Sequence, residues 1–199
     1  MHSHFRKLLE LRRSNYSLGN HPDLSQAEIN TLIADAVMYS PSAFNSQSAK
    51  IVSLYGDEHH KFWNLTLQEL KPLTPAEKFS ATEQKISSFA AGFGTILFFE
   101  DTATVSSLQQ RFPLYSKNFP VWSEQSNAMM QFALWCLFAE HNIGASLQHY
   151  SPLVDGFVQR EWMISPTWKL IAQMPFGNIT ATPDEKDFLP LAERIKTFG

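Results

Sequence analysis

A chain of 199 residues can bury one hydrophobic core, and it reads as a single domain over residues 1–199 with a polar arm from about 183 to 199. A net charge of −3 excludes a general electrostatic pull toward nucleic acid or a membrane surface, so any anion must be held by a local cluster of cations. Cys136 is the only cysteine, which excludes an internal disulfide and gives no sign of an oxidising compartment.

Aromatic residues reach 13% of the chain, with 16 Phe and 5 Trp. That abundance suits buried flat ligands, a large interface or a Phe-rich core. The N-terminal stretch MHSHFRKLLELRRS is charged and amphipathic, without the apolar core of a secretory signal, and Glu10 argues against a transit peptide. The longest apolar stretch, Ala128 to Ala139, is interrupted by Gln131 and too short to span a bilayer. These features predict a cytoplasmic protein.

In chain order, Phe5 to Arg13 carries Phe5, Leu8, Leu9 and Arg12 at helical spacing. Ser25 and Glu28 form a capping box opening a helix through about Tyr39, which Ser40-Pro41-Ser42 stops. Lys50 to Tyr55 reads as a strand, and Asp57 as the cap of a helix to about Leu70. A further helix covers Pro75 to Phe89, Gly92 and Gly94 break the chain, and Thr95 to Phe99 reads as a buried strand. Ala103 to Arg111 reads as a short helix.

Trp122 to Asn142 is the longest predicted helix. It is apolar on more than one face, so it has to be covered all round by its own domain or by a partner chain. Asn142-Ile143-Gly144 is a C-cap pattern. Strands are predicted at Ala145 to Tyr150 and Trp168 to Met174, with a short helix at Pro152 to Gln159 between them. The interleaved elements carry neither a dinucleotide-binding glycine loop nor a P-loop.

Four constellations could carry chemistry. Arg12-Arg13-Ser14 offers two guanidiniums and a hydroxyl to a phosphate, although cations at a helix C-terminus also complement the macrodipole. The loop from Ser40 to Gln47 offers the amides of Asn45 and Gln47, although Asn and Ser also simply make turns. Ala172 to Gly177 closes a late strand. Glu185-Lys186 and Arg194 lie in the charged tail.

RRSxY near the start, SPSAFNSQ some thirty residues later, the long apolar helix with its Asn142-Ile143-Gly144 end, AQMPFG and a PxEK tail resemble the nitroreductase family, in particular its small fungal and bacterial branch. The resemblance covers nearly the whole chain. It implies an α+β fold: a central mixed or antiparallel sheet flanked by helices, with the long helix at an intertwined dimer interface that holds two FMN molecules. By the same resemblance Arg12, Arg13 and Ser14 grip the phosphate and the pyrimidine edge, and Asn45 and Gln47 reach the ribityl chain and ring from the partner chain. Gln125 and Asn127 lie near the flavin. Ser146 to His149, with Gln148 among them, and Met174, Pro175, Phe176 and Gly177 line the ring. Lys186, and less strongly Arg194, meets the phosphate. Tyr16 stands where longer relatives have a lysine, which leaves Arg13 as the expected cation at the N1/O2 edge.

The implied activity is reduction of electron-poor acceptors such as nitroaromatics and quinones by NAD(P)H in a ping-pong cycle, with FMN carrying the chemistry and no side chain acting as acid, base or nucleophile. The alternative is a flavin-binding regulatory protein whose ring face is closed by Phe119, Trp122 or Trp162. A non-flavin interaction domain built on the apolar helix is a third reading. Cys136 is expected to be packed rather than nucleophilic. His2/His4 and His59/His60 lack partners at metal-ligand spacing, and the latter pair is expected in solvent. Ser146, His149 and Asp155 lack a nucleophile elbow. No metal, nucleic acid or membrane partner is expected.

Overall fold

The computed structural model describes residues 3–199, so His2 of the His2/His4 pair lies outside the described residues. In chain order the elements are α1 (His4–Leu11), β1 (Leu18–Gly19), α2 (Gln26–Tyr39), β2 (Ala49–Tyr55), α3 (Gly56–Leu70), α4 (Ala76–Ala90) and β3 (Gly94–Asp101). They continue with α5 (Thr102–Arg111), α6 (Phe119–Glu140), β4 (Ile143–Ala145), α7 (Asp155–Glu161), β5 (Trp168–Ile179) and α8 (Leu191–Arg194).

Local chemistry sets several boundaries. At α2, Glu28 N donates to Ser25 Oγ at 3.3 Å while Ser25 N donates to the Glu28 carboxylate at 2.8 Å, the reciprocal pairing of a capping box. Asp57 does not cap α3; the helix starts one residue earlier, at Gly56, and Asp57 lies in its first turn. Asn142 takes the left-handed conformation (φ 56°) that ends α6, a role asparagine tolerates, and so releases Ile143 to start β4.

The strands pair antiparallel in the order β1-β5-β3-β2, with β4 also paired to β5. β3 is the axis. Its alternate side chains serve two cores: Ile96 and Phe98 pack with α2 and α6, Leu97 and Phe99 with α3, α4 and α7. A strand buried on both faces is apolar along its centre, as Ile96 to Phe99 are, while the buried polar groups at its ends, Thr95 and Glu100, are hydrogen-bonded. β5 also feeds both cores, through a register shift: Phe98 pairs with Ala172 but Phe99 with Leu170, leaving Ile171 as an extra residue. That bulge reverses the parity, so Ala172 faces the α2/α6 core and Leu170 the other.

His59 corrects the solvent expectation for the histidine pair. Its ring is fully buried, with Nδ1 at 2.8 Å from Thr95 Oγ1 and Nε2 at 3.1 Å from the Ala90 carbonyl. His60, its neighbour, is exposed. Cys136 is buried, and burial pushes its thiol up from the ordinary value, as befits a packed side chain. Among the described residues no helix is long and apolar enough to cross a membrane.

Candidate functional site

The helix α1 ends at Leu11, with Arg12 as its C-cap and Arg13 just beyond. They begin an extended segment that is stitched to the sheet. Asn15 N donates to the Ala145 carbonyl at 2.9 Å, Ser14 bridges to Ala145, and β1 pairs Leu18 with Ile179 and Gly19 with Asn178. Thr180 N donates to the Ser17 carbonyl at 3.0 Å. The chain leaving β5 is thereby laid beside the chain leaving α1.

Between them lies a cavity of about 520 Å³, walled by Arg12–Ser14, Tyr16 and Ser17 on one side and by residues 181–187 on the other. Its volume is within the roughly 300–1,000 Å³ usual for cofactor and small-molecule sites. Three cations line it: Arg12, Arg13 and Lys186. The tail adds the carboxylates of Asp184, Glu185 and Asp187. Arg13 donates to the Asp184 carbonyl and so ties the two walls together. The Arg12 guanidinium lies 4.5 Å from the Trp135 ring centroid, and its Nε is buried without an acceptor. A buried, unanswered guanidinium donor is costly in a closed protein and suits a site that takes an anion. Five of the predicted residues therefore meet here: Arg12, Arg13, Ser14, Tyr16 and Lys186. Arg194, on the exposed α8, is not among the lining residues.

Asn45 and Gln47 are not in this cavity either. Both are exposed on the loop before β2, where Gln47 lines a separate cleft of about 380 Å³ with Ser42, Lys50 and Trp168. Gln125 is exposed at the start of α6 and lines an open groove with Phe44, Trp122 and Met129. The loop has an unusual backbone: Phe44, Asn45 and Gln47 have φ of 56°, 51° and 48°. For a side chain other than glycine this region costs about 1–2 kcal/mol per residue. Asparagine accepts it more readily than most residues; phenylalanine does not.

Several predicted residues have structural duties instead. Asn127 is fully buried: Nδ2 donates to the Phe99 carbonyl and to Glu100 Oε1, both at 3.0 Å, and Oδ1 accepts from Gln131 Nε2 at 2.6 Å. Both hydrogens of its amide are committed within the protein. It holds α6 to β3 and answers one oxygen of Glu100, whose carboxyl burial pushes above the usual range. Met174 and Phe176 belong to the α2/α6 core, and Pro175 is buried beside them on β5. Gly177 is explained by close approach, since a Cβ there would collide with the Gly19 carbonyl of the neighbouring β1. Gln148 is buried, donating to Ser146 Oγ at 3.0 Å and exchanging backbone bonds with Gln173. Of the residues expected to close a ring face, Phe119 and Trp122 join the aromatic group around Phe44, whereas Trp162 packs on α3 and donates to Glu58 at 2.8 Å.

Sequence reading missed Trp135, Asp184 and the strained loop. Trp135 lies on the apolar stripe of α6 and could have been paired with Arg12 only by knowing how α1 crosses that helix. Phe44 had no signal, because nothing in its type favours a left-handed backbone.

An antiparallel sheet between two helical layers, with a cavity bearing Arg12, Arg13 and Lys186 where the segments after α1 and β5 run side by side, is the fold of nitroreductase-like oxidoreductases. Nitroreductase CinD of Lactococcus lactis, in complex with nicotinic acid, superposes with a TM-score of 0.91 at 43% identity, covering 98% of this chain and 100% of that one. The same protein is known in complex with chloramphenicol and with 4-nitrophenol. The nitroreductase FRM2 of Saccharomyces cerevisiae is 29% identical over 182 residues, 89% of either chain. At 15% identity, a Desulfovibrio desulfuricans protein in complex with FMN has the same fold, with a TM-score of 0.73 and full coverage of both chains. The model of the nitroreductase family matches residues 9–178, and the chain belongs to that family.

Proposed function

We propose that this chain is an FMN-dependent oxidoreductase that works as a cytoplasmic homodimer, taking electrons from NADH or NADPH and passing them to flat, electron-poor acceptors such as quinones and nitroaromatics. The observation that carries the reading is the cavity in which Arg12, Arg13 and Lys186 converge, with the Arg12 Nε buried and unanswered. Bound there, FMN would supply the two-electron chemistry that no side chain of this protein can perform. Arg12 and Lys186 would hold its phosphate, with Ser14 and Ser17 adding hydroxyl donors. Arg13 is the cation we assign to the edge of the ring where negative charge gathers, and a fixed cation there favours the reduced state.

Asn45 and Gln47 lie outside the cavity of their own chain, which supports a site completed by a second copy. The surface supports that second copy too. Phe5, Tyr39, Met129 and Phe132 border an apolar groove of about 450 Å³ between α1, α2 and α6, and apolar residues of the C-terminal arm such as Phe188 and Leu191 are exposed. The acceptor class draws on CinD, whose chloramphenicol and 4-nitrophenol both carry a nitro-substituted ring. Donor and acceptor would use one open face in turn, which gives ping-pong kinetics.

The test is the visible spectrum of the purified protein, followed by cofactor release, size exclusion, and turnover with NADH or NADPH against quinones and nitroaromatics. The expected result is a yellow dimer releasing FMN, with parallel double-reciprocal plots. A colourless protein that also ignores added FMN overturns the proposal. Bound FMN without turnover of any acceptor overturns the enzymatic half and leaves the regulatory reading.

A further inference from the structure

The loop carrying Asn45 and Gln47 is held in a shape its own residues resist. Phe44, Asn45 and Gln47 all have positive φ, and none is glycine. A segment with three such residues within four positions persists only where tertiary contacts outweigh the local preference. One such contact is a hydrogen bond to α6, and a second hydrogen bond is internal to the loop. Ala43 N donates to Ser126 Oγ at 3.3 Å, and Gln47 N to Ser42 Oγ at 3.0 Å.

The third is aromatic and larger. The Phe44 ring sits among four rings from the segment before α6 and from its start: Phe112 at 4.9 Å between centroids, Phe119 at 5.2 Å, Tyr115 at 6.1 Å and Trp122 at 6.2 Å. The geometries run from stacked (17° between planes for Trp122) to edge-on (67° for Phe119), the arrangements that aromatic pairs prefer. Phe44 nevertheless remains about half exposed, at 51%, and belongs to neither core that holds the sheet. Its contacts fix a loop rather than a fold.

We infer that Phe44 is a positioning residue: its ring, clamped by Phe112, Tyr115, Phe119 and Trp122, pins the left-handed loop so that the Asn45 and Gln47 amides are presented to FMN at a preset angle. This rests on the proposed function, in which that loop contacts the cofactor. Pinning the loop in advance removes an ordering cost from binding. The same clamp couples the loop to the start of α6, where Ser126 also holds the Ala43 amide.

Three substitutions test it. Phe44→Ala removes the ring and keeps a side chain that resists positive φ. Phe44→Gly removes the ring but adopts positive φ freely. Phe44→Tyr keeps the ring. The readouts are the FMN dissociation constant, from quenching of flavin fluorescence, and the melting temperature of the cofactor-stripped protein. The expected order of affinity is wild type and Phe44→Tyr together, Phe44→Gly weaker, and Phe44→Ala weakest, at least tenfold below wild type, with the cofactor-free melting temperatures within a few degrees. A packing role alone puts glycine at or below alanine, and that order overturns the inference. Wild-type affinity in Phe44→Ala also overturns it while leaving the proposed function standing. A wild-type protein that binds no FMN overturns both.

Discussion

His59 shows what one buried titratable group does. Burial is the main cause that lowers its pKa, to about 4 from an ordinary 6.5, because the charged ring would lose its water between Thr95 and the Ala90 carbonyl. Protonation therefore favours the unfolded chain. The stability contributed by the neutral ring is fully present above pH 6.5 and is lost as the pH falls from there toward 4. At 1.36 kcal/mol per pKa unit the effect is about 3 kcal/mol. Thermal unfolding of the cofactor-free protein across that range should show a falling melting temperature, and His59→Gln should flatten the slope; an equally steep slope in the variant removes His59 as the cause. The burial was legible in the sequence, since His59, Phe62, Trp63 and Thr66 follow helical spacing and share the buried face of α3. Reading the adjacent histidines as a pair obscured that periodicity.

At the scale of elements, what could be read were the pieces with local causes: the Ser25–Glu28 box, the apolar run of β3, the length of α6. The features that needed two segments at once were not legible. The bulge at Ile171 depends on how β5 must serve two cores, and the burial of Asn127 depends on where α6 crosses β3. Gly177 belongs to the same group. It reads as part of a ring-lining motif, yet its lack of a side chain is what lets the Gly19 carbonyl of β1 lie against β5. Gly177→Ala would push β1 away or distort β5, at a cost of about 1–3 kcal/mol by analogy with overpacked cores. Because β1 is continuous with the Arg12–Ser17 wall of the cavity, FMN affinity should fall along with the melting temperature. A variant that melts lower but keeps wild-type FMN affinity would separate the β1–β5 pairing from the site.

At the scale of the whole molecule, the surface left by one chain is the informative part. Met129 is 44% exposed on the helix with the most apolar sequence, and it borders both the groove against α1 and α2 and the one beside Phe44. Met129→Glu should disrupt the proposed dimer, giving elution at the 22.7 kDa single-chain mass and loss of bound FMN. Retention of a flavin-loaded dimer would place the interface elsewhere. The cavity itself has one wall from residues 12–17 and the other from residues 181–187, tied by Arg13 and Asp184, which are 171 positions apart. A ribosome delivers the first wall long before the second. The growing chain can collapse its sheet and both cores while the pocket is still half built, so capture of a cofactor in the proposed site has to wait for the 181–187 wall, and a nick in that wall should cost the flavin while leaving the fold in place.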